Sequence, residues 1–533
     1  MKLTFFIIFL LFSFTSVIAQ TPQNVFCQFE MTFEEIYACT LISANITSVT
    51  EPLSITGTHL SSKSSLDVKI LQTPQITDHG VILITFHPQF FEEFPNLDEI
   101  SLSFTDMEIL NLRNCGRITK LTLIDNFLRE IPSRTFENCT NLKFLELYFD
   151  RIEKIYDDTF KGLENLEILN LLDNPLLKIT KNSLTDLVNL REFYFGFGSI
   201  EIGALSHMKN LEVVDLFVLN LNTSSTKSLL NGLTNLTKIH LLSNFIDNEI
   251  FDFFSQFKKL EFLNLEDNEF TEIPNLAFDG LENLKLLSLT FNKISVISQN
   301  SFKGLDSLEI LRISSNFITD LNSLPFSHLR NLIELDVHSN NFGILPNDIF
   351  KNNQNLEDLQ ISRCQLTELS AETFKPLTRL IKIDLSDNNL STIPPETFLN
   401  FPNLEIFFFS GNPIKRLNSN SFGTLHNLTT FNVFLCEINE IEPNFFEKFP
   451  KLNIFNGMMN ECINNIVDEV FKIDFMKTNV FSLCFENWQS SMGTTSPLLS
   501  TTTSVSTTTG NGKRLNFRIE TLMIVFFIIR LIK

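Results

Sequence analysis

The sequence contains no HExxH pair, no glycine-rich loop ending in Gly-Lys-Ser/Thr and no GxSxG elbow. Those spacings put two histidines on one helix face, cradle a phosphate, or expose a serine on a sharp turn. It contains no CxxC, and its eight histidines are scattered, so the ligand spacing of a zinc site is missing. Basic residues are in deficit: 41 Lys and Arg stand against 62 Asp and Glu, for a net charge of -21. That balance excludes nonspecific binding to nucleic acid or anionic lipid and favours solubility. Long apolar runs are also scarce. The N-terminal run Phe5 to Phe14 is shorter than the roughly 20 residues that a spanning helix needs. Catalysis requires a convergent site, and nothing in these patterns supplies one. The expectation is a protein with no enzymatic activity, no cofactor and no metal.

What the chain has in abundance is one pattern. From Leu260 three blocks of 24 residues read LEFLNLEDNEFTEIPNLAFDGLEN, LKLLSLTFNKISVISQNSFKGLDS and LEILRISSNFITDLNSLPFSHLRN. The shared form is LxxLxLxxNxLxxIxxxxFxxLxx, and a fixed period in this range marks a stacked repeat array. LxLxx is a short strand with alternating faces, leucines one way and polar residues the other. One such strand cannot bury its apolar face alone, so stacked copies share a core. Followed both ways, the first leucine-type position runs from Leu97 to Leu452 and gives 16 repeats. Asn126, Asn174, Asn244, Asn268, Asn292, Asn316, Asn340, Asn388, Asn412 and Asn460 close the strands, where an amide can bond the backbone of adjacent coils. A second column predicts an aromatic spine: Phe136, Phe160, Phe254, Phe278, Phe302, Phe326, Phe350, Phe374, Phe398, Phe422 and Phe446.

The blocks resemble the extracellular leucine-rich repeat family in its 24-residue form. The resemblance extends to Toll-like receptor ectodomains and to arthropod cell-surface proteins of the chaoptin and connectin group. It implies an α/β leucine-rich repeat solenoid, a horseshoe with a parallel β-sheet on the concave face. The convex side is then irregular, with short helices. The expected division is a signal peptide at 1–19, an N-terminal cap with degenerate first coils at 20–96, and repeats at 97–459. A C-terminal cap follows at 460–489, then a Ser/Thr-rich stalk at 490–512 and a hydrophobic C-terminal signal at 513–533. Within 20–96, Phe91 and Phe94 already match the columns of a coil that ends before Leu97.

Lys2, the apolar run and Ser16-Val17-Ile18-Ala19 suit cleavage after Ala19, hence secretion. Six sequons then become glycan candidates: Asn45, Asn138, Asn222, Asn235, Asn389 and Asn427. Cys27 pairs with Cys39 and Cys462 with Cys484, since secreted arrays staple the ends that cover their cores. These are reduced versions of the four-cysteine caps found in the family. Cys115 and Cys139 are 24 residues apart, at one position of neighbouring coils. Adjacent strands lie roughly 4.7 to 4.9 Å apart, within disulfide reach. The alternative is two buried thiols. Cys364 and Cys436 occupy the ladder column, where the family pattern allows Asn or Cys, and read as buried free thiols.

The tail holds 14 Ser or Thr between Ser490 and Gly510 and cannot form a core. Gly510-Asn511-Gly512, the spacer Lys513 to Glu520 and the apolar end Leu522 to Ile529 follow the order of a GPI-attachment signal. Arg530 and Lys533 interrupt that end, so a spanning helix and simple secretion stay open. None of the three places a cytoplasmic signalling domain after the tail, which departs from the Toll-like receptors.

Two adjacent repeats inside the array break the pattern: 21 residues from Leu190 and 25 from Leu211, with Gly198 and Leu219 in the ladder column. Near them the outward strand positions are apolar: Phe144, Tyr148, Phe149, Leu172, Tyr194, Phe197, Phe217, Val218 and Leu242. Elsewhere they are mostly polar, as in Asn264, Glu266, Arg312 and Asp384. An apolar patch rimmed by polar groups suggests an interaction site, and aromatics dominate binding hot spots. The bland alternative is a degenerate surface in a Phe-rich chain. A smaller patch, Phe408, Phe434, Leu435, Met458 and Met459, lies near the C-terminal cap, an end that homodimers in this family use. His240 and His338 face the same side four repeats apart and read as surface residues. The leading expectation is a cell-surface recognition or adhesion protein that binds a protein or cell-surface partner through the concave face. An innate-immune recognition protein or decoy is the alternative, and an inhibitor or carrier scaffold the third.

Overall fold

The computed structural model describes residues 23–32, 34–48, 51, 53–74, 81–174, 177–399, 401–463 and 482–492. The leader at 1–19, the stalk beyond Met492 and the tail at 513–533 lie outside the described residues. The chain divides into two units, Met1–Trp488 and Gln489–Lys533. The first is built on one 21-stranded sheet. Five of its strands precede Leu97, and each of the 16 repeats supplies one of the rest. Every repeat strand begins two residues after its first leucine and pairs in parallel with the next coil, as in Phe144–Tyr148, Ile168–Leu171 and Glu192–Gly196. The far side carries short helices and 3-10 turns, the longest being Thr223–Leu230.

The leucines of LxxLxLxx are buried to the last atom in most coils, for example Leu260, Leu263 and Leu265 at 0% exposure. The aromatic spine is present. Phe278 and Phe302 stack at 6.2 Å and Phe302 and Phe326 at 6.4 Å, with Phe136 and Phe160 at 6.0 Å. The coil that starts at Leu428 differs. In its 3-10 helix Phe445–Lys448 it is Phe445 that is fully buried, while Phe446 is only partly buried.

The asparagine ladder works as a backbone substitute. Asn316 Oδ1 accepts from Ile294 N (2.9 Å), while Nδ2 donates to the carbonyls of Leu289, Ile313 and Ser314. A turn this deeply buried needs every one of those bonds. In the first repeat Thr105 holds the rung and donates to Asn126 Oδ1 (2.6 Å). Asp150 is the exception. Its Oδ1 accepts from Asn126 N (2.8 Å), but its Oδ2 is buried without a hydrogen-bond partner. One coil on, Asn174 sends its Nδ2 to the carbonyls of Leu147, Leu171 and Leu172. Burial above all pushes the Asp150 carboxyl up to about 7.

A second ladder, not anticipated from the sequence, lies one residue before the first leucines. Asn141, Asn165, Asn189, Asn235 and Asn283 each donate through Nδ2 to a carbonyl of the preceding coil, at 2.7 to 2.9 Å. These exposed amides tie coil to coil along one edge of the sheet.

The irregular repeats keep the strand register. Glu192–Gly196 pairs with Val213–Phe217 over five residues, and the length differences fall on the far side. The longer repeat places there the helix Thr223–Leu230, capped by the Asn222 side chain accepting from Ser225 N (2.9 Å). The rung missing at Leu219 is supplied by Asn244, whose Oδ1 accepts from Leu219 N and Leu221 N. At Gly198 a Cβ would lie 2.3 Å from Leu177 O and 2.5 Å from Phe195 Cζ. The short repeat has closed over this point, so no ladder side chain fits. Gly198→Ala is expected to cost about 1–3 kcal/mol by overpacking, read from chemical unfolding. Unchanged stability would show that the coil relaxes freely.

Disulfides join Cys27 to Cys39, Cys115 to Cys139 and Cys462 to Cys484, with Cα separations of 5.2, 4.8 and 5.1 Å. The first links the antiparallel strands Asn24–Met31 and Tyr37–Ile46, which close the N-terminal end of the sheet. The second bridges neighbouring coils, and the third ties the helix Ser482–Ser491 to the last coil. Cys364 and Cys436 are buried free thiols, pushed up to about 12 and about 11 by burial.

Candidate functional site

In each repeat the third, fifth and seventh residues point away from the core, and parallel pairing lines them up in rows. The seventh-position row runs Ile124, Tyr148, Leu172, Gly196, Phe217, Leu242, and turns polar at Glu266. Gly196 leaves no gap: a Cβ there would meet Phe217 O at 2.9 Å and Leu172 Cδ2 at 3.3 Å. Leu172 and Phe217 thus close over it, and four of the nine expected patch residues share one row. Ile124 extends that row and was not singled out in the sequence.

Phe149, Phe197 and Val218 are placed differently from the expectation. They stand one residue past their strands, not on them. In every repeat the residue before the ladder position has a left-handed backbone, with φ between 52° and 68°. The turn keeps the chain bonded to the next coil, as Phe197 N donates to Phe217 O (3.1 Å) and Val218 N to Leu242 O (3.2 Å). Asp, Ser and Gly fill half of these positions, since small residues tolerate the left-handed region. Phe104, Phe149, Phe197 and Phe291 do not suit it, and they are 43–48% exposed. A left-handed bulky residue costs roughly 1–3 kcal/mol, and these rings recover little of that by burial. Phe197 packs edge-on to Phe217 at 4.9 Å, and Tyr148 lies 5.2 Å from Phe149, so the two rows form one apolar ledge. The signal for Phe104 and Phe291 was legible: an aromatic in a column otherwise rich in Asp and Ser.

Phe144 and Tyr194 belong to the other two rows. Both are half-buried, and the Tyr194 hydroxyl donates to the Glu192 carboxylate (2.7 Å). Burial first, then Glu192, raises the Tyr194 hydroxyl above its usual range. Beside it Asp215 is raised to about 7 by burial and by the charge of Asp173, itself raised by burial. His240 stacks on Phe262 at 4.4 Å, and burial, helped by Lys238, lowers it to about 4. His338 Nδ1 donates to the Asp336 carboxylate (2.6 Å). The second patch is also exposed, Leu435 at 58% and Met459 at 69%, both left-handed.

An open groove of about 700 Å³ runs along the sheet edge beside the irregular repeats, lined by Asn165, Asn189, Asn210 and Asn235 and by the pairs Lys143–Glu167 and Arg191–Glu212. Two sequons, Asn235 and Asn427, sit in the exposed ladder with Nδ2 donating to Lys209 O and Pro402 O. Asn138 is exposed in a turn, Asn389 is exposed just past the ladder residue Asn388, and Asn45 lies in the strand Tyr37–Ile46. None of these five, nor Asn222, lies in the outward rows of the repeat strands. Among the described residues no group of His, Cys, Asp and Glu could hold a metal ion, and no helix is long and apolar enough to cross a membrane.

Comparison with known proteins agrees with this architecture. The family described as leucine rich repeat matches in overlapping segments from residue 116 to 197 and from 234 to 438, more than half of the chain. A BspA type leucine rich repeat region of six copies matches residues 27–143. Curated protein sequences give no match. Among solved structures, a leucine-rich repeat protein of Leptospira interrogans is 21% identical with a TM-score of 0.56, covering 71% of this chain and 88% of that one. Toll in its complex with Spatzle, from Drosophila, is 19% identical with a TM-score of 0.61, covering 80% of this chain and 58% of that one. A TDR receptor is 19% identical with a TM-score of 0.52, covering 72% of this chain and 67% of that one. At these identities the likeness concerns the fold. By the repeat register and the family match together, the chain belongs to the leucine-rich repeat family.

Proposed function

We propose that the chain is an extracellular recognition protein, without enzymatic activity, that binds a protein partner through the sheet face of the repeats from Ile118 to Leu236. The observation that carries this reading is the exposed apolar ledge, built partly on left-handed phenylalanines that stability alone would replace with Asp, Ser or Gly. Three disulfides support an oxidising, extracellular setting. No sequon lies in the outward rows that carry the ledge. Display at the cell surface, through a GPI signal in 513–533, makes it an adhesion or recognition molecule.

The test is a mixed-cell aggregation assay. Non-adherent cells expressing the full chain are mixed with labelled cells lacking it, with and without phosphatidylinositol-specific phospholipase. Clusters of expressing cells alone, dispersed by the enzyme, support a GPI-anchored homophilic adhesion protein. Surface protein without clusters moves the reading to a partner on another cell or in solution. Protein found only in the medium removes the anchor. An innate-immune recognition role then leads, a reading supported by the likeness to Toll, which was solved in complex with Spatzle. The C-terminal patch of Phe408, Phe434, Leu435, Met458 and Met459 is the second candidate surface, for a homodimer, on the strength of its exposure.

A further inference from the structure

The ledge is bordered by acids that form no ion pair among the described residues. Glu146, Glu192 and Asp215 lie on the first, third and fourth of four successive strands, and Asp173 in the turn after the second. The cross-coil ion pairs nearby use other acids: Lys120 with Glu99, Lys143 with Glu167, Arg191 with Glu212. Glu146 and Glu192 accept only from the neutral hydroxyls of Thr122 and Tyr194 among their side-chain bonds. Asp215 stands opposite Tyr194 on one strand and His240 on the other, with Glu192 and Lys238 two residues away, opposite Val213. His240, lowered by burial, stays neutral near pH 7 and supplies no countercharge. The charge of Asp173 adds to the burial that already disfavours the Asp215 carboxylate. Apolar surface and acids without an ion-pair partner among the described residues therefore meet at one place, in a chain whose net charge is -21.

We infer that the partner presents a lysine or arginine flanked by apolar side chains, the cation meeting Asp215 and Asp173 while its neighbours lie along Tyr148, Leu172, Phe217 and Leu242. This rests on the sheet-face reading above. A cation there relieves the repulsion between the two carboxylates and restores the ionised form that burial opposes. An acidic or phosphorylated segment would add to the same repulsion. The aliphatic stem of Lys or Arg suits the ledge, since such stems lie along apolar surface with the charge at the tip.

The probe is a random peptide library displayed on phage, selected on cells expressing the full chain and depleted on cells expressing the Tyr148→Ser/Phe217→Ser variant. Enriched peptides are then synthesised and titrated. They are expected to carry Lys or Arg between apolar residues and to bind Asp215→Asn about tenfold more weakly. Binding should also weaken as the pH falls below about 7, where Asp215 takes up its proton. Asn suits the half-buried position, and thermal unfolding of that variant checks that the fold is kept. Enriched peptides that lack a basic residue, or that bind Asp215→Asn unchanged, overturn the basic anchor and leave the sheet-face reading standing. No enrichment over the depleting cells overturns both.

Discussion

Asp150→Asn stabilises the repeat region at and above neutral pH by up to about 4 kcal/mol. The folded carboxyl titrates at about 7, against roughly 3.9 for an unfolded aspartate. The folded state therefore holds the proton more tightly than the unfolded chain. That contribution to stability is fully present below about pH 4 and is lost as the pH rises through 7. The difference of about three pH units corresponds to roughly 4 kcal/mol. The cause is geometric: the buried Oδ2 has no donor, in a column where the asparagine rungs present an amide N–H. An asparagine supplies that N–H and carries no charge. Urea unfolding near pH 5 and near pH 8 decides the matter. The natural chain should weaken between the two, and the gap to the variant should widen. Equal stability of the two chains near pH 8 would show that the carboxyl is accommodated in some other way.

The second large effect contrasts two phenylalanines eleven residues apart. Phe302→Ala is expected to cost about 3–5 kcal/mol, whereas Phe291→Ala should stay within about 0.5 kcal/mol of the natural chain. Phe302 is fully buried and stacked between Phe278 and Phe326, so truncation opens a cavity shared by three coils. Phe291 is 48% exposed with a left-handed backbone at φ 56°, so little packing is lost with its ring. Because each coil contacts only its neighbours, the Phe302 defect should appear as local loss of protection around those coils in hydrogen exchange. A large loss from Phe291→Ala would mean that the exposed phenylalanines serve the fold, and would remove the main support for a binding ledge.

Much of this architecture is visible in the residues themselves. The period of 24, the ladder asparagines and the phenylalanine column follow from burial, because each interior position must repeat when identical coils stack. Cys115 and Cys139 follow from the same register. What escaped reading depends on conformation. Nothing in a string of letters states that Phe149 or Phe197 sits past the strand with φ near 57° and 59°; only the Asp and Ser that occupy the column in other repeats hint at it. The second asparagine column before the first leucines was equally periodic, but its role became evident only with its bonds to the preceding coil. Asp150 differs from Asn by one atom, and its consequence lies in the donor that its neighbours have and it lacks. The cap at 20–96 was the least legible. Its strands Tyr37–Ile46, Ile70–Gln72 and Val81–Leu83 join the sheet through pairings that no period announces.

The measurement that tests the account most directly is partner binding by the Tyr148→Ser/Phe217→Ser variant, with thermal unfolding recorded on the same protein. In the mixed-cell assay, or with labelled soluble protein on partner-bearing cells, the natural chain should bind. The variant should lose binding with its unfolding temperature nearly unchanged, since both side chains lie on the outward face. Binding that survives both substitutions would contradict the assignment of the ledge and turn attention to the patch at Leu435 and Met459.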